Sequence, residues 1–330
     1  MPLARIARRT GALLLTAAVL VPISGTAQAA SVAGTYSAVV FPDQSHSLVY
    51  DFINSAAKSV DVTMYELRDT AAVNALIGRQ RAGVKVRVIL DGRHTSVNGA
   101  AFSALRNAGA GVTYSSSAYV YTHQKTITVD GVKSLIMTGN LDATYYATGR
   151  DFGVFDADAN DVAAIERVFD ADYAKTAITP SDGDNLVWSP TDSERRLLAL
   201  INGAQKSLDL EQLEFGDANL VDAVVAAADR GVTVRVVGMN PDYYGSYFDQ
   251  VTTAGGRIVT YSTTTSLYIH AKTIVADYGT SSAKVFAGSE NFSDNSLNNN
   301  RELGLITTDA GVLTTLEATF ATDFANGLPY

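Results

Sequence analysis

Tyr121-Thr122-His123-Gln124-Lys125 returns, 147 residues later, as Tyr268-Ile269-His270-Ala271-Lys272. Upstream of this pair, Ser59-Val60-Asp61-Val62 corresponds to Ser207-Leu208-Asp209-Leu210. Gly83-Val84-Lys85-Val86-Arg87-Val88 corresponds to Gly231-Val232-Thr233-Val234-Arg235-Val236, both at an offset of 148. Downstream, Asn140 is matched by Asn291 and Asp151 by Glu302, at 151. An offset that drifts only by short loop insertions marks the duplication of one structural unit.

Both copies predict the same element order. A helix comes first, over 47–57 and again over 194–204, where Leu197, Leu200, Ile201 and Ala204 share a face. Thr191 and Glu194 stand at capping-box spacing before the second of these helices. A buried, β-branched strand follows, then a second helix near 71–81 and 218–230. That helix ends at Gly83 or Gly231 and leads into a Val-rich strand. Strands alternating with helices predict an α/β fold of two duplicated halves, with mixed sheets flanked by helices. Thr179 to Asp192, rich in Pro, Ser, Asp and Gly, reads as the link. The halves are therefore expected at 30–180 and 193–330, with 181–192 between them.

With 330 residues, 47% hydrophobic and 18% charged, the chain can fill a substantial core. Arg5, Arg8 and Arg9, an apolar run from Gly11 to Ile23 and Ala27-Gln28-Ala29 follow the order of a signal peptide over residues 1–29. Cleavage is expected after Ala29, and the mature protein is expected to be secreted. Loss of those arginines makes a formal charge of −9 more negative still. Such a surface repels polyanions and disfavours a broad nucleic-acid interface. The absence of cysteine excludes a disulfide framework, a thiolate nucleophile and a cysteine zinc site.

His123, Lys125 and Asp130, like His270, Lys272 and Asp277, fit H-x-K-x4-D, and together they form the candidate catalytic set. Residues i and i+2 of a strand face the same way, so each His and Lys are expected to project side by side. Each motif Asp falls at a glycine-containing turn and reads first as a strand-end organiser. The returning strands deliver Thr138 with Asn140 and Ser289 with Asn291, suited to hold phosphate oxygens or to fix the lysine ammonium. Eleven residues after each Asn stands an acid, Asp151 or Glu302, able to bind one imidazole nitrogen and leave the other free. His46 and His94, with no such companions, read as core histidines.

This constellation resembles the phospholipase D superfamily over nearly all of the expected mature chain. Gly288-Ser289-Glu290-Asn291 fits that family's G-S-x-N, whereas Met137-Thr138-Gly139-Asn140 places Met where Gly is usual. The resemblance implies halves related by a pseudo-two-fold axis, with both H-x-K strands meeting at one active site. It also implies that His123 is the nucleophile, forming a phosphohistidine, and His270 the general acid. Lys125 and Lys272 would neutralise the phosphoryl oxygens, so neither metal nor cofactor is required. Export, acidity and Tyr119, Tyr121, Tyr243, Tyr244, Tyr247 and Tyr268 favour a phospholipid headgroup ester met by peripheral membrane contact. A monomer is expected. Two other readings remain: a secreted metal-independent nuclease of the same superfamily, and a non-catalytic binding relic of the fold.

Overall fold

Asp69 and Asp217 begin the same helix in the two halves. Asp69 accepts from the Ala71 and Ala72 amides, and Asp217 from that of Leu220. Side-chain oxygens at these positions satisfy amides that a helix start leaves unpaired. Gly83 (φ +88°) and Gly231 (φ +84°) then turn the chain out of the helix, a left-handed conformation that glycine adopts without a Cβ clash.

The structure is a computed structural model that describes residues 35–262 and 267–330, together with Met1. But for Met1, the signal peptide expected over residues 1–29 lies outside the described residues. The first half runs β1 (Tyr36–Phe41), α1 (Ser47–Asn54), β2 (Ser59–Met64), α2 (Thr70–Arg81), β3 (Lys85–Leu90), α3 (Thr95–Asn107) and β4 (Gly111–Tyr114). It ends with β5 (Lys125–Val129), β6 (Lys133–Met137), β7 (Gly149–Asp156) and α4 (Ala159–Ala174). The second half repeats the order as β8 (Leu186–Ser189), α5 (Ser193–Gly203), β9 (Ser207–Gln212), α6 (Ala218–Asp229), β10 (Thr233–Met239), α7 (Pro241–Thr253) and β11 (Arg257–Tyr261). After β12 (Tyr268–Ile269) come β13 (Lys272–Ala276), β14 (Lys284–Gly288), β15 (Glu302–Thr307), α8 (Ala310–Asn326) and β16 (Leu328–Pro329).

The sheets have matching orders, β1-β7-β6-β5-β2-β3-β4 and β8-β15-β14-β13-β9-β10-β11, the second extended by β16. Each is mixed, with β2-β3-β4 and β9-β10-β11 parallel and the other neighbours in these two orders antiparallel. One core fills the space between the halves, where Ile136, Phe152 and Val154 meet Val237, Val285, Leu303 and Leu305, with α4 and α8 at its sides. Burying each such side chain contributes about 1.5–3 kcal/mol. Gly34–Tyr330 form one compact unit. Among the described residues no helix is long and apolar enough to cross a membrane.

Two local expectations are corrected. Thr191 and Glu194 do not form a capping box, because α5 starts after Asp192, whose carboxylate turns back to the Trp188 amide (3.0 Å). Glu194 instead accepts from Asn219 (2.6 Å) and Asn298 (3.0 Å). The stretch 181–192 is not all link either. Leu186–Ser189 within it is the buried strand β8, paired with β15 as β1 is with β7.

Candidate active site

The segments before the two H-x-K motifs cross over. β12 (Tyr268–Ile269) adds in parallel to β7 of the first half, and the His270 amide donates to the Arg150 carbonyl (3.1 Å). Reciprocally, Thr122 bridges to Arg301, and the His123 and Gln124 amides donate to the Arg301 carbonyl (2.9 and 3.0 Å). The arginines themselves reach across. Arg150 forms a bidentate pair with Asp323 of α8 (2.6 and 3.0 Å), and Arg301 one with Asp172 of α4 (2.9 and 3.1 Å). Both guanidinium groups are buried, Arg150 at 4% exposure and Arg301 at 1%. Each half thus holds the main chain at the other half's histidine. Repeat spacing could not reveal this, because it relates positions within copies and not contacts between them.

The crossing also alters the expected strand geometry. β5 and β13 begin only at Lys125 and Lys272, so each histidine sits at a break just before its strand. Each lysine Nζ folds back to donate to the carbonyl oxygen of the histidine two residues earlier. Lys272 Nζ also lies 3.3 Å from both His270 ring nitrogens.

The carboxylates meet the histidines across the halves. His123 Nδ1 faces Glu302 Oε2 at 2.7 Å, and His270 Nδ1 faces Asp151 Oδ1 at 2.9 Å. Glu302 is further held by the Ser296 hydroxyl (2.7 Å) and the Asn300 amide (3.0 Å), neither of them singled out by the sequence pattern. Burial pulls the His123 imidazole down to about 4, against the upward pull of Glu302. His270 is lowered as well, by burial first and Lys272 next. Burial would raise Asp151 and Glu302, but the facing imidazole and lysine hold both below the usual carboxylate range. The result is a neutral imidazole anchored at Nδ1 by an ionised carboxylate, with its Nε2 lone pair available as nucleophile or base. Burial brings Lys125 down to about 7 and Lys272 to about 8. An arriving phosphodiester anion favours their charged forms.

The hydroxyls serve the carboxylate framework. Thr138 Oγ1 donates to Asp151 Oδ1 (2.6 Å) and accepts from the Phe152 amide (2.9 Å), while Ser289 Oγ accepts from the Leu303 amide (3.1 Å). Thr138 thus gives its one proton to Asp151, and Ser289 donates to the Leu303 carbonyl (3.4 Å). Asn140 and Asn291 instead line the cavities described below, and their Oδ1 atoms have no hydrogen-bond partner among the described residues. The motif aspartates stand apart from this chemistry. At the far end of β5, Asp130 accepts from the amides of Ala57, Lys58 and Ser59, and Asp277 likewise from Gln205, Lys206 and Ser207. A five-residue strand spans about 17 Å, so neither carboxylate reaches the histidine at the near end.

The Met137 departure has a compensating partner. In the second copy Gly288 leaves room for the buried Glu290 side chain, since a Cβ there would stand 2.4 Å from Glu290 Oε2. In the first copy Met137 fills the core, and Gly139, in the position of Glu290, lets Asp151 approach to where a Cβ would lie 2.5 Å from its Cγ.

His123 and His270 line one cavity of about 200 Å³ together with His46, Asn140, Asp151, Tyr145 and Tyr146. A second cavity, of about 710 Å³, opens from His123 past Tyr121, Tyr243, Tyr244, Tyr247 and Asn291. Tyr268 lines the first. Tyr119, expected nearby, instead lies under the Arg301 guanidinium, 4.3 Å from ring centroid to Cζ. His46 is sandwiched between Phe41 and Tyr146 at the cavity wall, and His94 bonds Asp91 and Tyr65 beside His123; neither is a plain core histidine.

Two repeated α/β halves whose H-x-K segments close on one cavity define a phospholipase D-like architecture. The chain belongs to the phospholipase D-like phosphodiesterase superfamily, in the family described as cardiolipin synthase, PLD-like domain, whose model matches residues 49–173 and 197–324. It is 30% identical over 103 residues to the mitochondrial cardiolipin hydrolase of Danio rerio, covering 31% of this chain. The match spans 44% of that relative, less than half its length. Among solved structures, polyphosphate kinase from Porphyromonas gingivalis superposes with a TM-score of 0.69 at 16% identity, over 87% of this chain and 50% of the other. Phosphatidylserine synthase from Haemophilus influenzae gives 0.65 at 11% identity, over 85% and 84%. At these identities the structural likeness is one of fold.

Proposed function

We propose that this protein is an exported phospholipase D that hydrolyses a phospholipid headgroup ester at the cavity shared by His123 and His270. His123 Nε2 attacks phosphorus, forming the P–N bond as the bond to the departing alcohol breaks, and His270, protonated at Nε2 in the complex because the bound phosphodiester anion favours its charged form, gives that alcohol its proton. Water then attacks the phosphohistidine, giving a proton to His270 as His123 leaves. Lys125 and Lys272 carry the positive charge that faces the phosphoryl oxygens, and Asp151 and Glu302 hold the rings. Asn140 and Asn291 offer side chains to substrate oxygens.

The single observation that carries the lipid reading is the lining of the two cavities. Glu66, Asp142, Asp151, Glu214 and Asp294 stand among tyrosines, with no arginine or lysine among the described residues of either wall, and Lys125 and Lys272 lie buried behind the histidines. The two central lysines suffice for one phosphodiester, whereas a nucleic acid brings neighbouring phosphates that need cations along the groove. The name of the Danio rerio relative and the family description both concern cardiolipin, a glycerophospholipid, which supports the same substrate class. Tyr145, 51% exposed, and Tyr243, 78% exposed, flank the two cavities and suit peripheral contact of a monomer with a bilayer.

Headgroup release from phosphatidylcholine vesicles, with single-stranded DNA as the parallel substrate and EDTA in both, tests the proposal. Choline release that persists in EDTA is expected. Cleavage of DNA without lipid turnover would replace it with the nuclease reading, and turnover of neither would favour the relic.

A further inference from the structure

Beside His123 lies a hydrogen-bonded chain that, among the described residues, has no counterpart beside His270. Asp91 Oδ1 faces His94 Nδ1 (3.1 Å), and the Tyr65 hydroxyl faces His94 Nε2 (3.0 Å). In the tautomer that donates from Nδ1 to Asp91, Nε2 is an acceptor and Tyr65 donates to it. The other Asp91 oxygen accepts from the Thr122 amide (2.7 Å), one residue before His123. The Tyr65 ring meets the His123 ring edge to face at 4.6 Å between centroids, and Lys125 Nζ lies 5.1 Å from its centre. Tyr65 also lines both cavities, standing where they join.

The corresponding residues of the second half, at the 148-residue offset that β2-β3 and β9-β10 share, are Leu213, Met239 and Asp242 in place of Tyr65, Asp91 and His94. None of these can rebuild the chain. The Asp–His–Tyr series, anchored on the buried Asp91 with His94 and Tyr65 half-buried, touches the reaction centre at both its backbone and its ring, and each of its members is satisfied by the next.

We propose that Asp91, His94 and Tyr65 act as a positioning relay for His123 alone, fixing its main chain through Thr122 and its ring through Tyr65. The relay makes two histidines of equal motif unequal in use. This rests on His123 and His270 acting as proposed above. Tyr65 keeps its proton across the working range, because burial and then the negative charge of Glu66 and Asp91 push the phenol upward.

Tyr65→Phe and His94→Ala should each lower kcat about tenfold while KM stays within about twofold, as expected for lost orientation rather than lost binding. The double variant should fall no further than the worse single one. His94→Gln, whose amide oxygen can accept from Tyr65, should recover most of the loss, which a merely structural role would not allow. A second readout needs no turnover. Followed by NMR, the His123 ring resonances in His94→Ala should shift, because the Tyr65 ring packed on them loses its anchor, while those of His270 stay in place. Asp242→Ala, the matching change in the second half, should alter neither ring. Equal shifts at both histidines, no shift at His123, or failure of His94→Gln to recover activity would overturn the relay. Absence of wild-type phosphodiester turnover would sink the catalytic reading instead and leave the NMR test standing.

Discussion

The His123 side and the His270 side of the site share one backbone plan and differ in what surrounds it. Glu302 accepts from Ser296 and Asn300 and faces His123, whereas Asp151 is held by Thr138 and faces His270. Glu302 is wholly buried and Asp151 is partly open. His123 has the Tyr65 chain beside it, and His270 has Tyr268 stacked at 5.9 Å. Duplication therefore supplied the frame twice, and residues outside the motif gave the copies different surroundings. The proposed reaction, in which the two imidazoles act in turn as nucleophile and acid, needs that inequality, because identical environments would leave their proton affinities equal.

The comparison can be broken most sharply at the carboxylates. Glu302→Gln should reduce turnover on the order of 10³-fold, because the amide no longer holds the His123 tautomer. Asp151→Asn should cost less, since Asp151 is held by fewer groups. Equal losses would mean that the extra Ser296 and Asn300 bonds do not matter, and steady-state kinetics on one soluble phosphodiester decides it.

The cross-half arginines come next. Arg150→Met strands the buried Asp323 and should destabilise the fold by about 3–5 kcal/mol, seen as a lower urea midpoint. A change below 1 kcal/mol would show that the halves do not depend on this clamp. A smaller effect, graded with pH, follows from the lysines. Their lowered values mean that the charged forms are lost as pH rises through about 7 for Lys125 and about 8 for Lys272. The acid limb belongs to His123, which loses its free lone pair below about 4, and loss of the His270 proton, eased by burial and Lys272, adds to the basic limb. kcat/KM should therefore fall on both sides of a plateau between these values, and a rise continuing above pH 9 would contradict the assignment.

Repeat spacing carried much of this. The 147–151 offsets mark the halves, the H-x-K strands and the two acids, because duplication preserves spacing within a copy. It could not show that β12 joins the other sheet, nor that Arg150 and Arg301 seek Asp323 and Asp172, since contacts between copies leave no periodic trace. His94 looked solitary because Tyr65 reaches it only through folding, and because Asp91, three residues before it, has no counterpart in the second copy, where Met239 stands. The aspartates of the motif illustrate the converse: Asp130 lies five residues from Lys125 in sequence, yet a strand carries it to the opposite end of the sheet, where its carboxylate ties down the α1–β2 turn.

The claim that both halves build one reaction centre is tested most directly by turnover of a phosphodiester by His123→Ala, His270→Ala and the double variant. Each single change should lower kcat by roughly 10³-fold or more, with the double variant no worse than the lower single, because the rings act as a unit. Wild-type turnover in either single variant would contradict it.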